Sequence, residues 1–231
     1  KLGGELIGED AFLAASNGVA GPAEALGLTY FEFLTALALE AFRAVPVRAA
    51  VLEAGLGGRY DAVSACERDL LLYTPIGLDH MKVLGPDVAA IARDKAGAMR
   101  SGLPVLAAPQ PPEALAVLRA EAARLSCPFT VVEPLAGSVK LGLDGAHQRV
   151  NAALALAAFR AAAPALGVTP DEAAMARGLA AAFLPGRLQR VPPLVEGGPE
   201  IILDGAHNAP GLAALGEALA GLGVCPRAVV F

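Results

Sequence analysis

The chain has 231 residues, of which 55% are hydrophobic, and a formal net charge of −5. That is enough apolar material for one large domain or two modest ones, and the acidic balance excludes a general nucleic-acid or anionic-membrane surface, which needs a basic excess. The three cysteines, Cys66, Cys127 and Cys225, are far apart without C-x-x-C spacing, so neither a zinc site nor a disulfide framework is indicated; a reducing cytoplasm fits.

No basic leader with an apolar core opens the sequence, and no run of about twenty apolar residues spans a bilayer, because Arg160 and Pro164 interrupt the Ala-rich segment after Asn151. Residues 1–15 contain a turn at Gly3–Gly4 and a short helix from about Glu9, and nothing in them reads as a domain start. Gly18–Gly27 reads as a loop. Thr29-Tyr30-Phe31-Glu32 then matches the S/T-x-x-E capping box ahead of FLTALALEAF, predicting a helix from Tyr30 to about Arg43.

Two short apolar runs, Val47–Leu52 and Leu70–Ile76, each stop at ionisable groups: Glu53 after the first, Asp79 and His80 after the second. Both read as buried parallel strands whose carboxyl ends deliver side chains to a site. Gly55–Gly58 allows backbone to come close to whatever Glu53 binds. Gly85-Pro86-Asp87 opens a helix to about Ala96, with Lys95 in its last turn and Gly97 as its stop.

Pro104–Ala108, Pro112–Leu125 and Pro128–Glu133 form a strand, crossover helix and strand of the parallel type, and Val139–Leu143 is a further strand candidate. Helices follow at His147–Ala163 and Pro170–Ala182. Val191–Pro199, VPPLVEGGP, is the best domain boundary, dividing a central domain at 1–190 from the start of a second at 200–231. Beyond it, Ile201–Leu203 is a strand ending at Asp204, GAHNAPG a turn with Pro210 opening a helix, and Ala228–Phe231 a last strand.

Taken singly, the polar residues leave alternatives open. Glu53 is a hard oxygen ligand for a divalent cation or a loop acid; His80 is a nitrogen donor or a cap. Lys95 sits where the helix dipole favours any lysine. His147 and Asn151 share a helical face, and the Asn151 amide can read an adenine edge or belong to an N-terminal capping cluster. Arg187 after Pro-Gly can reach phosphate oxygens or stand in solvent, and Asp204 and His207 face a ligand or make a turn. The Walker phosphate cradle G-x-x-x-x-G-K-[ST] and the G-x-S-x-G nucleophile elbow are both missing.

The segments LTYFEFLTALA, LEAGLGGRYDA, TPIGLDHMKVLG, IARDKAG, GAHQRVNAALALAA, LPGRLQRV and LDGAHNAPG, in this order, resemble the folylpolyglutamate synthases and bifunctional dihydrofolate synthases of the Mur ligase superfamily. The resemblance implies an α/β fold: a Rossmann-like ATP-binding domain with a mostly parallel sheet, plus the start of a smaller Rossmann-like C-terminal domain. It implies an ATP-dependent ligase that adds L-glutamate to folates, and to dihydropteroate in the bifunctional form, through an acyl phosphate. By position, Glu53 and His80 match ligands of two Mg²⁺ ions, Lys95 a carbamylated lysine, and Asn151, Arg187 and Asp204 ATP contacts. Thr29, Tyr30, Phe31, Glu32 and Tyr60 match the pteridine site, and His207 a catalytic-region histidine. Expected partners are these small molecules only, with no nucleic acid or membrane, in a cytoplasmic monomer. Competing readings are a non-catalytic folate- or nucleotide-binding remnant and a cell-wall Mur ligase. Where the family commonly has D-A-T-N, this chain has Asp61-Ala62-Val63-Ser64. The family's phosphate loop and serine-bearing loop are expected before Lys1 and most of the C-terminal domain after Phe231, so the chain as given is expected to be inactive alone.

Overall fold

The computed structural model describes residues 1–230 and forms two compact units, Lys1–Glu67 and the remainder from Arg68. The first unit is a helical hairpin followed by a loop. Helix α1 (Glu9–Leu26) packs on α2 (Tyr30–Ala44), with Ala15, Leu37 and Ala41 at the centre of their contact. The predicted break at Gly18–Gly27 is instead the second half of α1, which carries Pro22 in its interior and stops at Gly27 in the left-handed conformation. A mid-helix proline costs about 3 kcal/mol, which packing against α2 offsets.

The capping box forms as predicted. Thr29 Oγ1 accepts the Glu32 N–H, and Glu32 Oε2 accepts the Thr29 N–H at 2.7 Å. Val47–Leu52, by contrast, is not a strand. A strand exists only as part of a ladder, and among the described residues of this unit no strand lies beside it; Val51 is 92% exposed.

The second unit holds the sheet. Strands β1 (Leu71–Tyr73), β2 (Val105–Ala107) and β3 (Phe129–Val131) are parallel in that order. Helices α3 (Met81–Leu84) and α4 (Val88–Ala96) connect β1 to β2, and α5 (Pro112–Arg124) connects β2 to β3. Val105 and Ala107, two residues apart, share a face and are buried with Ile91 and Ala92 of α4 and Ala114 and Leu118 of α5. The alanines let both helices approach closely. Val139–Leu143 is a second predicted strand that does not form; it runs as a loop whose Gly142 N–H bonds to Leu179 O.

Helices α6 (Ala146–Ala162) and α7 (Glu172–Ala181) follow. Antiparallel β4 (Gln189–Val191) and β5 (Ile201–Leu203) come next, and then α8 (Ala209–Gly221). The Pro- and Gly-rich 192–200 stretch is the connection between β4 and β5. Ala228–Val230 is not a strand, and Phe231 lies outside the described residues. Among the described residues no helix is long and apolar enough to cross a membrane.

Leu118 is fully buried, so Leu118→Ala is expected to lower unfolding free energy by about 2–5 kcal/mol. Chemical denaturation checks this, with the 41%-exposed Leu39→Ala expected to change it far less.

Candidate active site

At the carboxyl end of β1 the chain leaves the sheet along Thr74–His80, and one side chain holds the start of this loop. Gln110, just beyond β2, accepts the Ile76 N–H at 2.9 Å and donates to Thr74 O at 2.9 Å. An amide side chain thus continues the ladder past the last strand residue. The far end of the loop is held by Asp79. Its Oδ1 accepts the His80 N–H at 2.8 Å, and its Oδ2 accepts Asn208 Nδ2 at 2.8 Å. His80 Nε2 and His207 Nε2 stand 3.7 and 4.0 Å from the same Oδ2. His80 itself is held at φ 49°, ψ 35°, an uncommon conformation for a non-glycine residue.

Desolvation pushes the Asp79 carboxyl upward, but the Asn208 hydrogen bond, the His80 N–H and the two imidazoles outweigh it and hold it below the ordinary carboxylate value. Asn208 has no freedom to leave. Its Oδ1 caps α8 by accepting the Gly211 N–H at 2.8 Å, which turns its Nδ2 toward Asp79.

The turn before α8 carries the remaining groups. Asp204 Oδ1 accepts the Ala206 N–H and its Oδ2 the Leu188 N–H, both at 2.9 Å, joining the end of β5 to the start of β4. The Arg187 guanidinium lies over Gly205, where a Cβ would fall 2.2 Å from its nitrogen. His207 Nδ1 contacts Gly205 O at 2.9 Å. The fold therefore gathers Arg187, Asp204, His207, Asp79 and His80 into one neighbourhood at the end of β1.

Lys95 is half-buried in the last turn of α4, which is pinned to β1 by the Tyr73 hydroxyl donating to Lys95 O at 2.9 Å. Burial raises the Tyr73 hydroxyl, keeping it a neutral donor. Asn151 lies on α6, its Nδ2 donating to Gln148 Oε1 at 3.2 Å.

In the first unit, Glu53 and Tyr60 are exposed, and the Gly-rich loop between them is shaped by Asp61. This buried carboxylate accepts the Gly55, Leu56 and Val63 N–H groups at 2.8, 2.9 and 3.0 Å. The Ser64 hydroxyl donates to Gly58 O, so the departure from D-A-T-N still supplies a loop-closing hydroxyl. Thr29 and Tyr30 line a cavity of about 360 Å³ with Leu28 and Phe33. Phe31 instead covers Gly55, where a Cβ would fall 2.7 Å from the ring, and Glu32 is spent on the capping box.

Among the described residues no three His, Cys, Asp or Glu side chains form a metal cage. Taken separately, the exposed Glu53 carboxylate offers the hard oxygen that Mg²⁺ takes alongside waters and phosphate oxygens, whereas the His80 imidazole is a donor that ion uses less readily.

Sequence reasoning missed Asp61, Gln110 and Asn208. Asn208 before Ala-Pro-Gly carried a cap signal, and Asp61 a turn signal. Gln110 carried none.

No family model matches the sequence. The chain is 39% identical over 199 residues to a folylpolyglutamate synthase of Arabidopsis thaliana, covering 78% of this chain and 35% of that one. It is 37% identical over 216 residues to the dihydrofolate synthase/folylpolyglutamate synthase of Bacillus subtilis, covering 83% and 49%. Its fold matches a solved folylpolyglutamate synthase complex with AMPPCP and folate at a TM-score of 0.85 and 30% identity, over 94% of this chain and 60% of that one. An α/β core with a parallel sheet, matched to that solved structure over most of the chain, defines the class as an α/β protein of the Mur ligase fold. Within it, the chain belongs to the folylpolyglutamate synthase and dihydrofolate synthase family. It spans between about a third and a half of the length of these curated relatives.

The Thr29 side chain, then its backbone N–H, hold the Glu32 carboxyl below the ordinary value. A depressed carboxyl contributes stability above its ordinary value and loses it as pH falls through the folded one. On acidification the Thr29 amide resonance is therefore expected to move with Glu32 protonation, at a pH below that of an unperturbed glutamate. A Glu32 that titrates at or above the ordinary value would contradict the capping box.

Proposed function

We propose that the protein of which this chain is part is an ATP-dependent ligase that joins L-glutamate to a folate, and to dihydropteroate in the bifunctional form. The observation that carries this is the gathering of Arg187, Asp204 and His207 with Asp79 and His80, in a fold shared with an enzyme solved with AMPPCP and folate. A folate carboxylate oxygen attacks the γ-phosphorus of ATP and ADP leaves. The glutamate amine then attacks the acyl phosphate carbon, phosphate leaves, and the amine loses a proton. No covalent enzyme intermediate is required, so catalysis rests on placement and charge neutralisation.

In this reading Arg187 neutralises phosphate oxygens. Asp204 faces the nucleotide, its carboxylate already oriented by two N–H groups, and Asn151 faces the base. His207 lies nearest the incoming amine. Glu53 and His80 would each hold a Mg²⁺ ion, which when bound would offset charge on the transferring phosphoryl group. A carbamylated Lys95 adds an anion beside α4, for which Tyr73 fixes the backbone. Thr29, Tyr30 and Tyr60 contact the pteridine, while Phe31 and Glu32 shape its surroundings. Val191–Pro199 is the boundary between an ATP-binding domain and a smaller second one. The protein works as a cytoplasmic monomer.

Full-length protein supplied with Mg-ATP, L-glutamate and a folate should release ADP and phosphate only when all three are present, with a glutamyl-extended folate seen by mass spectrometry. His80→Ala should lower turnover on the order of a hundredfold or more, several kcal/mol of transition-state charge stabilisation. ADP release without glutamyl product, or unchanged turnover in that variant, would overturn the assignment.

A further inference from the structure

Helix α6 opens with a chain of side-chain contacts that the proposed chemistry leaves unexplained. Gln148 is only 7% exposed, and both ends of its amide are engaged. Its Oε1 accepts from Asn151 Nδ2 at 3.2 Å, and its Nε2 lies 3.1 Å from His147 Nε2. Since the amide nitrogen can only donate, His147 Nε2 is the acceptor there, and the imidazole carries its proton on Nδ1. The imidazole is seated over Gly145, where a Cβ would fall 2.6 Å from its Cε1.

Gln148 and Asn151 also line a cavity of about 170 Å³ whose other walls are apolar, with Leu141 and Leu143 from the loop before α6 and Leu179 from α7. That loop is held against the end of α7 by bare backbone. A Cβ on Gly142 would meet Ala182 O at 2.3 Å, and the Gly142 N–H bonds to Leu179 O at 2.9 Å. A reversed Asn151 amide would set its oxygen against the Gln148 oxygen and lose the bond between them.

We propose that Gln148 is a positioning residue that selects the nucleotide base by fixing which way the Asn151 amide faces. This rests on the reading that Asn151 contacts the base of ATP. With Nδ2 turned to Gln148, Asn151 keeps one N–H and its carbonyl oxygen for a ligand. Adenine offers a matching amino donor beside a ring-nitrogen acceptor, whereas a 6-oxo purine offers two acceptors. A fixed amide satisfies both groups of adenine; an amide free to reverse loses both in its other orientation. A 6-oxo purine meets one matched and one mismatched group either way. Locking the amide therefore raises preference for adenine without adding any contact to it.

The test compares kcat/KM for ATP and ITP in full-length protein, with thermal unfolding of each variant alongside. Gln148→Met, of similar length but unable to bridge, should lower the ATP-to-ITP preference about twofold, because an amide free to reverse faces adenine correctly only about half of the time. Gln148→Glu should keep the preference, because its carboxylate still accepts from Asn151 and from the other tautomer of His147. If Asn151→Ala leaves the preference unchanged, Asn151 does not read the base. If Asn151→Ala lowers it and Gln148→Met does not, the positioning role alone is wrong. Should Gln148→Met fail to fold, His147→Phe keeps a ring but removes the acceptor; a lowered preference supports the proposal and an unchanged one overturns it.

Discussion

A single carboxylate ties the end of the loop after β1 to the start of α8. Asp79 ends the loop that leaves β1, and Asn208 opens α8; the bond between them spans 129 residues of sequence. Because Asn208 is already committed to capping its helix, Asp79 meets a donor whose direction is fixed in advance. The ordering cost is thus shared between helix formation and docking rather than met twice. Pro210 packs near Gly77 in the same place, where a Cβ on Gly77 would lie 3.1 Å from Pro210 Cγ. His80 and His207 owe their nearness to this joint, and so does the approach of the Arg187–Asp204 turn to the end of β1.

Backbone organisation was legible in the sequence wherever a local signal was strong. The Thr29–Glu32 capping box, Asp87 ahead of α4 and Pro112 at the start of α5 each declared a helix start, because capping is decided within four residues. The parallel sheet followed from apolar runs separated by helices. What failed was context. Val47–Leu52 has the composition of a strand but no neighbour to pair with among the described residues, and Val139–Leu143 lies against the end of α7 instead of a strand. Gly18, Gly21 and Pro22 read as a loop, yet tertiary packing against α2 carried the helix through them.

The site residues divide in the same way. Glu53, Asp79 and His80 were visible because charge abruptly ended an apolar run, and Asp204 for the same reason. Their supports were not visible, since a supporting side chain is defined by its partner and not by its neighbours in sequence. Gln110 sits in an unremarkable proline-flanked stretch, and only the sheet shows it clamping Thr74 and Ile76. Asp61 could be read as a turn residue, but its three N–H donors appear only once the Gly-rich loop has folded around it.

In the proposed role of His80 as a metal ligand, its left-handed backbone sets folding and ligand binding at odds. A residue with a Cβ at such φ and ψ carries a strain on the order of 1 kcal/mol that glycine does not feel, and that asparagine feels less. A population of variants sorted for heat resistance alone would therefore drift away from histidine at position 80, and one sorted for turnover would, given that role, be held to it. The two selections would diverge at this position even though neither disturbs the sheet beneath.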